Sequence, residues 1–386
     1  MTRYQAFRFL TRCLALRPCD TGEVDRLKVE IVSGLVDWGK VVDLASHHYM
    51  IVALAVAFRE PQLTAVLAED VLEYFEEIHD LSAVRNQRIC EQVIEIARAL
   101  NSIGVEPVLL KGAANLIAGL YSDPASRFMR DIDVLVTEAQ VGECFQKLLQ
   151  EGYVPMDGYE ASDGIGQVPH PARHATPLRK KGRVAFVELH RRFAERPGES
   201  ETASEEIRRN SKPIIMEGAK FHIPCATDRA TLAIAHSYLH HEVYRLGAVS
   251  FFRDFHDLLL LNRASAPTLD WAEIIHRFQS QGHEPLLRRC VTMTGRVFGE
   301  PNPASTGLLP AGPSDWHRFL FQVSYPGTSG VCLFLVQEVF RTGGLLKNAV
   351  SATETGRQTR RKLLTPSFYR RHLLRAWNPV KKSLWR

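Results

Sequence analysis

Over the first hundred residues apolar side chains recur every three or four positions, the spacing of one buried helix face. DWGKVVDLASHHYMIVALAVAFRE (37–60) predicts one helical stretch, AEDVLEYFEEIHDLSAV (68–84) a second, and VRNQRICEQVIEIARALNSI (84–103) a third, with Gly104 as its stop signal. The opening MTRYQAFRFLTRCLALRPC is interrupted by Arg3, Arg8, Arg12 and Arg17. It reads as an amphipathic basic helix and as a poor signal peptide.

The pattern then changes period. Pro107–Leu110 is a short buried strand followed by Lys111-Gly112 and a small-residue helix, AANLIAGLY. DIDVLV (131–136) is the clearest strand, and Thr137 with Gln140 makes a capping box for a helix that closes at Gly152. Residues 157–171 read as a loop, Lys181-Gly182 as a turn, and VAFVELH (184–190) as another strand. From Asp228 the helical period returns in ATDRATLAIAHSYLHHEVYRLG, SFFRDFHDLLLLNR and DWAEIIHRFQSQG. Pro301, Pro303, Pro310 and Pro313 mark a linker before a helical tail. The pattern predicts an α+β protein: a helical region at 1–103, a small mixed-sheet α/β core at 104–225, and a helical region with a basic tail at 226–386.

A chain of 386 residues is longer than one hydrophobic core usually serves, so two or three domains are expected. Its 45% apolar and 24% charged residues exclude long disorder. Seven cysteines scattered singly give neither a disulfide framework nor a zinc ribbon, and favour a reducing cytoplasm. Residues 319–337 carry no charge, but Pro326, Gly327 and Gly330 break the run, so no transmembrane helix is expected. The net charge of +5 conceals a division: residues 341–386 carry twelve Lys or Arg and one Glu, hence +11 against −6 for the rest. Such a tail is a candidate contact for nucleic acid, a membrane surface or an acidic partner, and equally a solvated helix pair.

The stretch RFMRDIDVLV carries the candidate chemistry. In a strand Asp131 and Asp133 point to one face, with α-carbons about 6.5–7 Å apart, and Ile132 and Val134 point to the other. Like charges at that spacing become favourable together around a divalent cation, and magnesium prefers a few carboxylates plus substrate phosphates. Glu188, which shares a face with Phe186 and His190, is the candidate third carboxylate. Lys111-Gly112 stands where a strand becomes a helix, a place suited to phosphate, and Arg127 and Arg130 flank the aspartates as further phosphate candidates.

The string LLKGAANLIAGLYSDPASRFMRDIDVLV resembles the nucleotidyltransferase superfamily that has the DNA polymerase beta fold. More narrowly it is similar to a bacterial family of uncharacterised nucleotidyltransferases with a K-G, R-x-x-x-D-I-D and V-E-L-H pattern. Here these are Lys111-Gly112, Arg127, Asp131-Ile132-Asp133 and Val187-Glu188-Leu189-His190. The likeness spans most of residues 37–263. It departs from the superfamily in having Lys-Gly where Gly-Ser is usual, and Glu where the third acid is often Asp. The resemblance implies transfer of a nucleoside monophosphate from an NTP such as ATP, dependent on Mg2+ or Mn2+. Asp131 and Asp133 are then metal ligands and Glu188 the third acid, also a candidate for metal, while Lys111, Gly112, Arg127 and Arg130 stay the candidates for phosphate. The acceptor stays open among small molecules, peptides or proteins, and RNA. The alternative is a non-catalytic nucleotide-binding scaffold with a partner-binding tail.

The C-terminal helices add residues to weigh. His236 and His240 stand four apart, on one helix face. His256-Asp257, with His236 and Asp270, resembles the metal site of HD-type phosphohydrolases. With His190, the residues His236, His240 and Asp254 are candidates for the acceptor side of a cleft.

Overall fold

The computed structural model describes residues 1–17, 20–156, 175–192, 201–239, 252–264, 268–300, 316–317 and 320. The predicted loop at 157–171, His240, the proline-marked linker, most of the uncharged stretch 319–337 and the basic tail lie outside the described residues. One compact unit comprises Met1–His240 and Phe251–Ala311; of the other, His241–Ser250 and Gly312–Arg386, three helical residues are described.

The N-terminal part is helical, as its periodicity predicts: α1 (Arg3–Leu14), α2 (Thr21–Val32), α3 (Trp38–His47), α4 (Ile51–Ala57), α5 (Pro61–Thr64) and α6 (Glu69–Asn101). Thr2 and Gln5 close a capping box on α1, whose Phe7, Phe9, Leu10 and Leu14 are buried. Two predicted boundaries need correction. The stretch 37–60 is broken between α3 and α4, where Tyr49 takes a left-handed backbone at φ 57°. That position usually carries glycine or asparagine, and a tyrosine there gives no breaker signal. Conversely, the two helices expected over 68–103 are one helix of 33 residues. Its buried face carries Ser82, Asn86 and Gln92 among the apolar side chains, which interrupts the apolar period without interrupting the helix.

The sheet is mixed, with seven strands in the order β3-β4-β5-β2-β1-β7-β6. These are β1 (Val108–Leu109), β2 (Asp131–Leu135), β3 (Val154–Pro155), β4 (Leu178–Arg179), β5 (Phe186–His190), β6 (Lys212–Met216) and β7 (Ala219–Ile223). Between them lie α7 (Lys111–Ile117), a 3-10 turn (Pro124–Ser126), α8 (Val141–Gln150) and α9 (Glu201–Asn210). The α+β architecture expected from the pattern is the one observed. The Thr137–Gln140 capping box forms on a short 3-10 turn that leads into α8. The pattern did not anticipate α9 or the β6–β7 hairpin. That hairpin turns at Glu217-Gly218, both with positive φ, so a two-residue turn ending in glycine was its signal.

Strands β2 and β5 run parallel and in register, so Asp133 lies beside Glu188 and Val134 beside Leu189. Ile132, Val134, Val187 and Leu189 turn to one face and pack with apolar side chains of α6 and α8. On the other face a smaller cluster of Val108, Leu110, Leu135, Ile207 and Leu232 closes the sheet beyond the acidic residues. The last helices are α10 (Ala226–Leu239), α11 (Phe252–Arg263), α12 (Trp271–Ser280) and α13 (Glu284–Phe298). Among the described residues no helix is long and apolar enough to cross a membrane.

The polar side chains on α6 fasten the segments that lead into the two acidic strands. Ser82 donates to the carbonyl of Ala125, and Asn86 donates to those of Pro124 and Arg127. Arg85 bridges the carbonyls of Met129 and Val184, at 2.9 and 2.8 Å. Gln92 pairs with both backbone groups of Ala185, at 2.9 and 3.2 Å. Irregular backbone buried against a helix needs such partners, which is why polar residues occupy an inward face. Gln92→Leu leaves the buried N–H and C=O of Ala185 unpaired, so it should cost about 1–3 kcal/mol in urea unfolding; an unchanged midpoint would contradict this role.

A second prediction concerns acid. Burial, with Arg127 nearby, pushes the His256 imidazolium down to about 4. The unfolded chain, with an ordinary histidine near 6.5, then binds more protons than the native state between these values. Stability is complete above about 6.5 and is lost as pH falls through this window toward 4, by roughly 3 kcal/mol for this group. His256→Leu should flatten the dependence of the urea midpoint on pH across that window, and an identical slope would refute the assignment.

Candidate active site

Alternation along β2 places Asp131 and Asp133 on one face, and parallel register sets Glu188 of β5 next to Asp133. Asp133 is 3% exposed, whereas Asp131 and Glu188 are half-buried. Lys111 Nζ lies 2.5 Å from Asp133 Oδ1. His190 Nε2 lies 2.7 Å from the same oxygen and 3.5 Å from Glu188 Oε2. An ionised carboxylate only accepts, so the His190 Nε2–H donates to Asp133.

The backbone explains how Lys111 gets there. It follows β1, antiparallel to β2, and the N–H of Leu110 donates to the carbonyl of Asp133 at 3.0 Å. Lys111 itself takes a left-handed backbone, φ 48°, which costs a non-glycine residue about 1–2 kcal/mol. Gly112 is buried, and a Cβ there would stand 2.7 Å from Met129 Sδ and 2.9 Å from Met129 Cγ. Its small size thus serves close packing of α7 on the residues that lead into β2.

The three carboxyls differ in proton affinity. Burial alone would raise Asp133, but the Lys111 ammonium and the His190 hydrogen bond outweigh it and hold the group well below the usual range. Burial likewise opposes ionisation of Glu188, and its hydrogen bond with His190 carries it below its ordinary value despite Asp133. Asp131 goes the other way: burial and the Asp133 charge raise it, and Lys111 only partly offsets them. Among the described residues Asp131 forms no ion pair. Among the described residues three carboxylates thus gather about one ammonium and one histidine, with Arg253 acting on Asp131 from further off, a concentration of acids suited to a divalent cation. Asp133, Glu188 and His190 present ligand atoms within 4.8 Å of one another, and Asp131 adds a carboxylate on the same face. This donor set, in which Asp131 forms no ion pair among the described residues, fits a metal ion.

Other predicted residues lie elsewhere. Arg127 does not join the carboxylates: it is buried, donating to Tyr121 Oη at 3.2 Å and pairing with Asp257 at 2.9 Å. Its side chain turns toward α11 although it precedes β2 by only four residues, so proximity in sequence misplaced it. Arg130 is exposed and lies 5.8 Å from the ring centre of Tyr49. Arg191 and Arg192, which follow β5, both reach Glu138.

His236 Nδ1 and Asp254 Oδ2 pair at 2.9 Å, and His240 lies outside the described residues. Among the described residues those of the HD-type reading form no group of metal ligands: His256 packs on Phe298, and Asp257 pairs with Arg127 and accepts from Tyr121. Asp270 caps α12. Sequence reading missed Arg253 and Tyr49, neither of which belongs to a recognisable motif.

Residues 35–299 match the family described as uncharacterised nucleotidyltransferase, and the chain belongs to it. No curated protein matches the chain. The match spans every residue of the carboxylate cluster, so a nucleotidyl-transfer role in general is what family and site have in common.

Two variants should move metal affinity in opposite directions. Asp133→Asn removes a candidate ligand and should abolish Mn2+ binding followed by the EPR signal of free Mn2+. Lys111→Met removes the ammonium that competes for Asp133 Oδ1 and should tighten Mn2+ binding in the absence of nucleotide. Affinity in the wild type should weaken on acidification, beginning above the ordinary carboxylate range because Asp131 is raised. Weaker binding in Lys111→Met would mean that the lysine does not occupy the cation position.

Proposed function

We propose that the protein transfers a nucleoside monophosphate from an NTP to an acceptor oxygen, in a reaction dependent on Mg2+ or Mn2+. The observation that carries this reading is the register that sets Asp133 beside Glu188, with Asp131 on the same face and Lys111 against Asp133. Asp131, Asp133 and Glu188 would hold the metal, which when bound supplies charge neutralisation on the phosphates and activation of the attacking oxygen.

The chain's own residues do the rest. Lys111, already at the carboxylates, exchanges its contact with Asp133 for a phosphate oxygen as the triphosphate enters, a charge-assisted hydrogen bond. His190 keeps Asp133 oriented, and Glu188 either shares the cation or takes the acceptor proton. The acceptor oxygen attacks the α-phosphorus in line, the bond to the bridging oxygen breaks, and pyrophosphate leaves with that electron pair. Such catalysis depends on positioning and charge rather than on a covalent intermediate. In this reading residues 104–225 form the donor half, and the acceptor half belongs to the helices beyond.

The test is pyrophosphate release from ATP, GTP, CTP and UTP with Mg2+ or Mn2+, over acceptors that include sugar phosphates, a peptide, a protein mixture and RNA ends. Asp131→Asn, Asp133→Asn and Glu188→Gln should each lower the rate at least about 100-fold, as loss of a transition-state contact does. Metal-dependent nucleotide binding without pyrophosphate release across the whole panel would instead identify a scaffold.

A further inference from the structure

Around the segment that leads into β2 stands an assembly of which the sequence pointed only to Arg130. Tyr49 and Phe128 stack with ring centres 5.7 Å apart and planes 3° from parallel. Arg85 lies 5.3 Å from the Phe128 ring centre, and Arg253 and Arg130 lie 5.0 and 5.8 Å from that of Tyr49. Three guanidiniums therefore gather on two rings, and among the described residues none of the three forms an ion pair with a carboxylate. Asp254, Asp257 and Asp131 attract the Arg253 guanidinium without pairing with it, so its donors stay open to an anionic ligand.

The three are not equivalent. Arg85 is committed to the carbonyls of Met129 and Val184. Arg253 makes one hydrogen bond among the described residues, from Nη1 to the carbonyl of Phe128 at 3.1 Å, and a guanidinium has five donors. Arg130 adjoins Asp131 in sequence and is exposed.

Tyr49 holds both against its ring from a left-handed backbone that a tyrosine adopts only at a cost, and its side chain remains 42% exposed. Local strain spent on an exposed ring that grips two arginines is the mark of a pre-organised binding surface. Its nearness to the acids follows from the chain: Phe128, whose carbonyl Arg253 reaches, stands three residues before Asp131. Arg127, one of the two arginines that the sequence placed at the phosphates, is by contrast spent on Asp257.

We propose that Arg253 and Arg130, gripped by Tyr49, form a cradle for the phosphate chain of the donor nucleotide next to Asp131, a reading that rests on the nucleotidyl-transfer function above. Arg253 and Arg130 are the binding groups, and Tyr49 is a positioning residue. Planar guanidiniums match phosphate oxygens in pairs, and stacking on a ring removes in advance the freedom they would otherwise lose.

The probes are ATP, tripolyphosphate and inorganic phosphate, titrated with and without Mg2+ by calorimetry, with Mn2+ binding measured alongside. Arg253→Gln should weaken ATP and tripolyphosphate about 10–100-fold, the effect of one charge-assisted contact, and leave Mn2+ binding as in the wild type. Arg130→Gln should act in the same direction. Tyr49→Gly keeps the left-handed backbone and removes the ring; it should weaken both ligands several-fold without lowering Tm, whereas Tyr49→Phe should bind as the wild type does. If Arg253→Gln does not fold, the Tyr49 pair decides. Wild-type affinity for tripolyphosphate in Arg253→Gln, or in Tyr49→Gly, overturns the cradle. So does a loss confined to inorganic phosphate, which would assign the arginines to a phosphorylated acceptor. A wild-type protein that binds metal-free tripolyphosphate through Arg253 but never binds Mn2+ would keep the cradle and overturn the metal-dependent function.

Discussion

Asp133 is a carboxylate almost wholly withdrawn from water, and it stays ionised because Lys111 and His190 reach one of its oxygens. Much of the structure follows from that constraint. A buried charge without partners costs several kcal/mol, so the chain must bring a cation and a donor to one atom from two other elements. Lys111 arrives from the end of β1 through a strained residue, and His190 arrives from β5 through parallel register. The same register carries Glu188 alongside, which adds more negative charge than Lys111 can balance. A site where three carboxyls gather on one face is suited to a cation that comes with its substrate.

The register is in turn held from behind. The inward polar residues of α6 fix the segments entering β2 and β5, and Arg85 touches both through the carbonyls of Met129 and Val184. Arg127, pinned between Tyr121 and Asp257, ties the same entry segment to α11. From α11 comes also Arg253, which reaches the carbonyl of Phe128 in that same segment. Support of this kind is what keeps charged side chains at the separations that positional catalysis requires.

The acidic face was legible because it breaks the rule of its own pattern. Two aspartates within an apolar strand, and a glutamate in another, have no folding reason to be there, and the lysine after β1 follows from position alone. What was not legible depended on side-chain direction or on backbone conformation without a marker. Arg127 is close to Asp131 in sequence but faces away from it. Tyr49 takes a glycine-like conformation, so the break after α3 left no trace, and its meeting with Phe128 and Arg253 joins three distant segments. The polar stripe on α6 looked like a boundary because its partners are backbone groups that no sequence pattern displays. The β6–β7 hairpin did carry a readable turn at Glu217-Gly218.

The most direct measurement is a crystal structure with Mn2+ and an NTP analogue that cannot be cleaved at the α-phosphate, with the metal located by anomalous scattering. The account predicts a manganese peak in coordination distance of Asp131 and Asp133, with Glu188 facing it and Lys111 Nζ moved from Asp133 onto a phosphate oxygen. Nucleotide bound away from these carboxylates, with the Lys111–Asp133 pair intact and no anomalous peak beside them, would contradict it.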